Sequence, residues 1–146
     1  MARLDKETDT LDRFVAAQDG THEVALSELR RGRKQSHWMW FIFPQLRGLG
    51  MSPMSHYYGI EDMDEARRYL AHPVLGPRLI ACAEAILAHG NLPAETILGP
   101  VDAVKLCSSA TLFAAVEGAP PVFERILDTF FDGHPCRFTA GKVLKK

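Results

Sequence analysis

The sequence predicts an all-α fold that forms one compact domain. Leu and Ala together number 33 of the 146 residues, whereas Val and Ile number 14, and unbranched side chains favour helices because they lose little rotamer freedom there. Helix signals recur at intervals of roughly ten to twenty residues, separated by glycine and proline in the positions that helix ends prefer. We therefore expect residues 1–146 to form a single domain of about six to eight short and medium helices, with its ordered core over residues 10–144.

The first two helices follow from the spacing of apolar residues and from glycine. Apolar side chains between Leu11 and Gln18 predict an amphipathic helix that ends near Gly20. Thr21 is a suitable N-cap for a second helix. Gly32 closes that helix, because glycine readily adopts the left-handed conformation found after helix ends.

An aromatic segment comes next. Residues 38–43, Trp-Met-Trp-Phe-Ile-Phe, are the most apolar run in the chain. Ser36 is a plausible N-cap for this segment, and Pro44 ends or kinks whatever forms there, because proline lacks the backbone N–H. The run is too short for its period to distinguish a helix from a strand, and residues 48–53 are expected to form a loop after it.

The second half of the chain predicts helices in close succession. Asp62 and Glu65 have the spacing of a capping box, which opens a helix that runs through Leu70. The chain restarts at Pro73, and a clear apolar stripe predicts a helix of about 15 residues that ends at Gly90. Further helices are expected over residues 93–98, 100–117 and 121–132, with a last turn over residues 139–144.

Composition and cysteine spacing exclude several classes of protein. The formal net charge of −1 argues against a histone-like nucleic-acid binder. Cys82, Cys107 and Cys136 form neither a disulfide framework nor a C-x-x-C zinc site, and the histidines lack metal-binding spacing, so we expect no metal and no cofactor. The longest apolar run is far too short for a membrane span, and the charged N-terminus is unlike a signal peptide. We therefore expect a cytoplasmic protein without membrane contact.

The first candidate site is the basic stretch that leads into Ser36 and His37. Four cations lie within residues 30–34. If the aromatic segment is a helix, its N-terminus offers free N–H groups that hold a phosphate or a carboxylate. The simpler interpretation is that the arginines complement the dipole of the preceding helix and face water. His37 stays a candidate acid, base or ligand contact under either interpretation.

The aromatic side chains of residues 38–43 form a second candidate. Clustered aromatics stack on bases or sugars, and with the neighbouring cations they would suit single-stranded nucleic acid. The alternative, which we favour, is that they form the core, since a domain of this size needs large anchoring rings. Nucleic-acid binding is therefore the less favoured prediction. Trp38 remains a candidate pocket residue through its indole N–H.

The third candidate is a polar face on a helix with apolar flanks. At helical spacing Asp102, Lys105 and Ser109 share one face, with Ser108 beside them. In such an arrangement Lys105 would activate a serine hydroxyl, and Asp102 would act as a base or orient Lys105. The alternative is a surface ion pair between Asp102 and Lys105 that contributes only about a few tenths of a kcal/mol. The spacing alone leaves both interpretations open.

Residues 36–46, Ser-His-Trp-Met-Trp-Phe-Ile-Phe-Pro-Gln-Leu, resemble a motif of a bacterial family of unknown function, DUF1810. The likeness continues through Gly48-Leu49-Gly50, Tyr58-Gly59-Ile60, His72-Pro73-Val74-Leu75-Gly76, Lys105-Leu106 and Ser108-Ser109, and so covers nearly the whole chain. It implies a mainly helical single domain and no established activity. Members often carry the label calpastatin, but that class of inhibitor is disordered and built from repeats, unlike this apolar, repeat-free chain.

A second, partial resemblance is to the NADAR family of helical N-glycosidases, which act on ADP-ribosyl or riboflavin-pathway intermediates. It rests on His56-Tyr57-Tyr58 and the acidic helix start that follows. That family has a Glu before its His-Tyr pair, and this chain has Ser55 in that place. The resemblance implies glycosidase activity on ADP-ribose-like substrates as an alternative function.

The sequence leads to one main functional prediction, a small polar pocket that binds an anionic or nucleotide-like small molecule. It leaves open whether the protein is an enzyme. The expected ligand-binding residues are Ser36, His37, Trp38, Lys105, Ser108 and Ser109, and the candidate catalytic residues are His37, Asp102 and Lys105. In this pocket Lys105 holds the anion, Trp38 stacks or donates, and Asp102 or His37 serves as acid or base. The competing prediction is an interaction module without an active site, in which residues 38–43 present an apolar patch to a partner chain.

Overall fold

The structure is a computed structural model that describes the backbone of residues 2–143 and the side chains of residues 10–143. Within these residues the chain forms ten α-helices and no β-strand, and an isolated parallel bridge joins Leu46 and Ile60. The helices are α1 (Ala2–Gln18), α2 (Thr21–Arg31), α3 (Met39–Ile42), α4 (Pro53–Tyr57), α5 (Met63–Ala71), α6 (Leu75–Leu87), α7 (Ala94–Leu98), α8 (Pro100–Ala114), α9 (Val122–Phe131) and α10 (Arg137–Val143). The all-α prediction is confirmed, but the helices number ten rather than six to eight.

The count is higher because short helices form where the sequence showed only an ambiguous run or a loop. α3 has four residues and α4 has five. Ser52 caps α4 by accepting a hydrogen bond from the Ser55 N–H at 3.1 Å, and Pro53 occupies its first turn. The predicted last turn is helix α10, and Leu144, placed at the end of that turn and of the ordered core, lies outside the described residues.

The predicted N-caps differ in outcome. Asp62 accepts a hydrogen bond from the Glu65 N–H at 2.9 Å, which confirms the start of α5. Thr21 does not cap α2, which has no side-chain cap, and the Ser36 hydroxyl donates to Glu28 instead of capping α3. Gly20 rather than Thr21 occupies the N-cap of α2, and Ser36 fails as a cap because a local pattern does not reveal a partner elsewhere in the chain that competes for its hydroxyl.

Two helix starts were also predicted incorrectly. α1 begins at Ala2 rather than at Leu11, where its apolar stripe starts. α6 begins at Leu75 rather than at Pro73, and Nδ1 of His72 accepts the N–H groups of Val74 and Leu75 at this start, at 3.0 and 3.2 Å. No single helix in residues 2–143 is long and apolar enough to cross a bilayer, and α5 and α6 reach that length and hydropathy only together, across a bend of 88°.

Helix α8 lies at the centre of the packing. It packs against α5, α7, α9 and α10, and eight of its fifteen residues are buried, including the whole run 108–113. The largest fully buried side chains are Trp38, Tyr69, Phe14, Phe43, Phe113 and Phe123. The aromatic segment therefore contributes to the core, as the favoured interpretation predicted. One of its rings, Trp40, is only partly buried.

Candidate functional site

One buried carboxylate organises the chain between α2 and α3. Glu28, in α2, is 3% exposed and accepts four hydrogen bonds. The N–H groups of Gln35 and Ser36 and the indole N–H of Trp38 donate to its Oε1 at 2.8, 3.0 and 2.9 Å, and the Ser36 hydroxyl donates to Oε2 at 2.6 Å. Burial acts to raise the pKa of Glu28, but these donors outweigh it and hold the pKa at about 2. The turn over residues 35–38 thus wraps around an ionised side chain.

This network determines where three of the predicted site residues lie. The Ser36 hydroxyl and the Trp38 indole N–H are both used by Glu28, and Trp38 is fully buried. His37 is exposed and makes no hydrogen bond or ion pair with the part of the chain that the structure describes. Sequence analysis missed Glu28, because a glutamate on an amphipathic helix is ordinarily exposed and nothing nearby signals its burial.

Lys34 connects the same turn to α8. Its Nζ lies 2.9 Å from Oδ2 of Asp102 and 5.1 Å from the centre of the Trp38 ring. Nζ of Lys105 lies 3.0 Å from the other Asp102 oxygen and 3.9 Å from the centre of the Trp40 ring. Burial acts to raise the pKa of Asp102, but hydrogen bonds from the two lysines bring it below its ordinary value. The structure therefore places Asp102 and Lys105 beside the aromatic segment, in a half-buried cluster with one surplus positive charge.

A pocket of about 420 Å³ opens between α8 and the chain that follows the aromatic segment. Its volume lies within the range of roughly 300–1,000 Å³ found for small-molecule sites. The lining is mainly apolar, and Val101 and Val104 on it are 69% and 59% exposed. The lining residues are Trp40, Gln45, Leu49, Gly50, Pro100, Val101, Val104 and Lys105. Of the residues expected at a site, this pocket has Lys105, and its tryptophan is Trp40 rather than Trp38.

Gln45 is the lining residue that sequence analysis missed. It is 8% exposed, and its Oε1 is the one buried side-chain N or O atom, among the residues described, that lacks a hydrogen-bond partner. Buried polar atoms are nearly always paired, so each exception calls for a physical explanation. The signal in the sequence was a single polar side chain directly after an apolar run and Pro44.

The two serines of α8 lie elsewhere. Ser108 and Ser109 are buried in the core, and neither lines the pocket that Lys105 lines. The Ser108 hydroxyl lies 2.8 Å from that of Thr139 and so joins α8 to α10. The polar residues of α8 therefore divide into a pair near its N-terminus that faces the aromatic segment and a buried group further along, in which Ser108 bonds to α10 and Thr111 donates to the Cys107 carbonyl.

The geometry and charges of these groups suit binding. Both oxygens of Asp102 are paired with lysines, and each ammonium has further N–H groups to donate. Burial, together with the neighbouring Cys136, raises the pKa of Cys107 to about 11, and burial raises that of Cys82 to about 12, so both thiols are poor nucleophiles. Among the side chains that the structure describes, those of residues 10–143, no three His, Cys, Asp or Glu come together as metal ligands.

Comparison with known proteins identifies relatives of this chain. A family model described as a protein of unknown function (DUF1810) matches residues 8–143. The crystal structure of the conserved hypothetical protein Rv1873 from Mycobacterium tuberculosis is similar at a TM-score of 0.90 and 45% sequence identity, over 93% of this chain and 97% of that chain. No curated protein matches the sequence. The resemblance seen in residues 36–46 is confirmed, and neither description names an activity.

Proposed function

We infer that the function of this chain, which belongs to the DUF1810 family of proteins of unknown function, has to be derived from its pocket. We propose that this pocket binds a small anionic molecule with an apolar body. The observation that carries this proposal is the position of Lys105. Its side chain lines a mainly apolar pocket and also belongs to the cluster with surplus positive charge. A few directed polar groups in an apolar pocket are the usual composition of a small-molecule site.

Asp102 and Trp40 hold the ammonium of Lys105 in position. One N–H of that ammonium donates to Asp102, and the charge lies over the face of the Trp40 ring. The remaining N–H groups are left to donate to a carboxylate or a phosphate, which form strong charge-assisted hydrogen bonds. The apolar body of the ligand would cover Val101 and Val104, which are otherwise exposed to water.

Binding is better supported than catalysis. Asp102 would have to give up an ion pair to act as a base, and His37 does not line the pocket. Acid–base chemistry by His37, Asp102 or Lys105 thus stays a secondary proposal. The glycosidase alternative needs a carboxylate where this chain has Ser55, whose hydroxyl donates to the Ser52 carbonyl at 2.8 Å. We therefore place a binding protein, in the cytoplasm as the sequence predicts, ahead of an enzyme.

The proposal is tested by thermal unfolding and calorimetry with two anionic probes, AMP and indole-2-carboxylate, and with adenosine as the uncharged counterpart of AMP. A ligand at a hundred times its Kd adds about 2.7 kcal/mol to the stability, which raises Tm by several degrees. We expect at least one anionic probe to bind, adenosine to bind at least tenfold more weakly than AMP, and Lys105→Ala to lose the anion preference. Lys142→Ala, which removes a lysine outside this pocket, is the matched control.

Failure of every probe would move the proposal to an interaction module. The observation that favours this second candidate is the exposed pair Val101 and Val104, three residues apart on α8. Its occupant would be a second copy of the chain, and sedimentation equilibrium would show a dimer that Val104→Asp dissociates. A monomer at all concentrations, with no bound probe, would contradict both candidates.

A further inference from the structure

We propose that the amide oxygen of Gln45 recognises a hydrogen-bond donor on the buried end of the ligand, so that the pocket selects planar acids that carry a ring or amide N–H. This inference rests on the proposed function and names the class of ligand more closely. Lys105 would bind the acidic group, and Gln45 would select among acids of the same size and charge.

The first step is that Gln45 is a lining residue of the pocket and that its Oε1 is buried without a hydrogen-bond partner. The matching buried glutamine of the protein, Gln18, is fully used: its amide N–H group donates to the Phe41 carbonyl at 2.7 Å and to the Tyr69 hydroxyl at 3.0 Å, and its oxygen accepts from Arg78 at 3.3 Å. Gln45 therefore differs from Gln18 in that its side-chain oxygen accepts no hydrogen bond.

The second step is that the backbone holds Gln45 in place. Its carbonyl accepts the Ile60 N–H at 2.7 Å, and the Arg47 N–H donates back to the Ile60 carbonyl at 2.8 Å. These two bonds bracket the bridge at Leu46, and Pro44 restricts the chain on the other side. The side chain thus starts from a fixed backbone, and such preorganisation lowers the cost of binding.

The third step concerns the space around the amide. A narrow chamber of about 10 Å³ adjoins the pocket, with which it shares Gln45 among its lining residues, and it is also lined by Ser55 and Tyr58. That volume is close to the minimum that a single water molecule requires. Gly59 also lines the chamber, and a Cβ there would lie 2.8 Å from the Ser55 carbonyl oxygen, so glycine is what allows these two lining residues to pack so closely. Only a small group, such as one N–H, fits a chamber of this volume beside the Gln45 amide.

The fourth step is the chemistry of selection. A carbonyl oxygen only accepts hydrogen bonds, so a ligand edge with an N–H pairs with it and a ligand edge with a lone pair is repelled. Sites that pair a buried polar group with the ligand reject analogues that lack the matching group, because the buried group is then left unpaired. Gln45 is thus placed to discriminate between isosteric ligands where an apolar wall would not.

The test compares indole-2-carboxylate with benzofuran-2-carboxylate, which replaces the ring N–H by an oxygen and keeps the size and the charge. We expect the wild-type protein to bind the indole at least tenfold more tightly in calorimetry. In Gln45→Leu the difference should shrink below about twofold, with the benzofuran bound at least as well as before. Gln35→Leu, at an exposed glutamine outside the pocket, is the matched control and should keep the wild-type preference.

The outcomes separate the two proposals. Equal binding of both acids by the wild type, or a preference for the benzofuran, overturns the role of Gln45 and leaves the anion site intact. Binding of neither acid, together with no binding of AMP, overturns the proposed function as well. If Gln45→Leu does not fold, Gln45→Met removes the same oxygen, and loss of the indole preference in that variant supports the proposal.

Discussion

Two regions at opposite ends of the aromatic segment treat buried polar atoms in opposite ways. Before the segment, the Glu28 carboxylate accepts four hydrogen bonds, so the four donor groups around it are all paired. After it, Gln45 has an acceptor without a partner at the wall of a pocket. A fully satisfied network is suited to holding a fold, and an unsatisfied one is suited to receiving a ligand. The first region therefore has a structural role, and the second is where we propose that a ligand binds.

The largest expected effect comes from removing Glu28. Glu28→Ala leaves the buried donors of Ser36 and Trp38 without an acceptor, so we expect a loss of about 4 kcal/mol in the free energy of unfolding. Tm should fall by more than about 10 °C. Urea denaturation measures the loss, and Glu84→Ala, at an exposed glutamate on α6, should stay within about 0.5 kcal/mol of wild type. Equal stability of the two variants would remove the structural role from this region.

The same carboxylate should make stability depend on pH. In the unfolded chain Glu28 has its ordinary pKa of 4.5. In the folded protein burial acts to raise this pKa, but the hydrogen-bond donors outweigh burial and lower the pKa to about 2. The unfolded state therefore takes up the proton first as the pH falls, and about 3 kcal/mol of stability is lost between pH 5 and pH 2. Urea titrations across this range should show a steeper loss for wild type than for Glu28→Gln. Parallel curves would place the pH dependence elsewhere.

Much of the fold could be predicted from local patterns. The apolar stripes of α6 and α9 and the Asp62 cap are properties of neighbouring residues, and the structure has all three. The start of the short helix α4 is also local, with Ser52 as its N-cap and Pro53 in its first turn, but it was missed inside a stretch read as a loop. The position of the chain after α4 depends on distant residues: Arg13 donates to the carbonyls of Tyr57 and Gly59, more than forty residues away. No local pattern carries that second kind of information.

The candidate site divides in the same way. Asp102 and Lys105 could be paired from helical spacing, and they are paired. Glu28 and Gln45 could not be found, because the burial of one polar side chain depends on the whole packing. Trp38 and Trp40 could not be told apart by composition, but Trp38 precedes α3 and is fully buried, whereas Trp40 lies within α3 and is only partly buried. That difference gives the next prediction.

The two tryptophans should differ in their contribution to stability and in their exposure to solvent. Trp38→Phe removes the indole donor to Glu28 and buried volume, so we expect a loss of about 2 kcal/mol. Trp40→Phe replaces a partly buried side chain in the pocket lining and should lower the free energy of unfolding by less than about 1 kcal/mol. Each variant leaves one tryptophan, and acrylamide should quench Trp40 in the first more strongly than Trp38 in the second. Equal quenching and equal stability loss would contradict the division of the segment.

The smallest expected effect has the opposite sign. Gln45→Leu removes a buried acceptor that has no partner, so it should leave stability unchanged or raise it by up to about 1 kcal/mol. Gln18→Leu, at a glutamine of similar burial, leaves the Phe41 carbonyl and the Tyr69 hydroxyl without their donor. It should lower the free energy of unfolding by about 2 kcal/mol. Urea denaturation of both variants makes the comparison within one protein.

The sign of the stability change in Gln45→Leu decides whether the region around the pocket is structural or binds a ligand. If Gln45→Leu is as destabilising as Gln18→Leu, the oxygen is already satisfied, by an ordered water in the adjoining chamber, and the two ends of the aromatic segment are alike. If it is neutral or stabilising, the chain keeps a polar group that its fold does not need. A group that folding does not require and that lines a pocket beside a positioned ammonium is accounted for by a ligand that uses it.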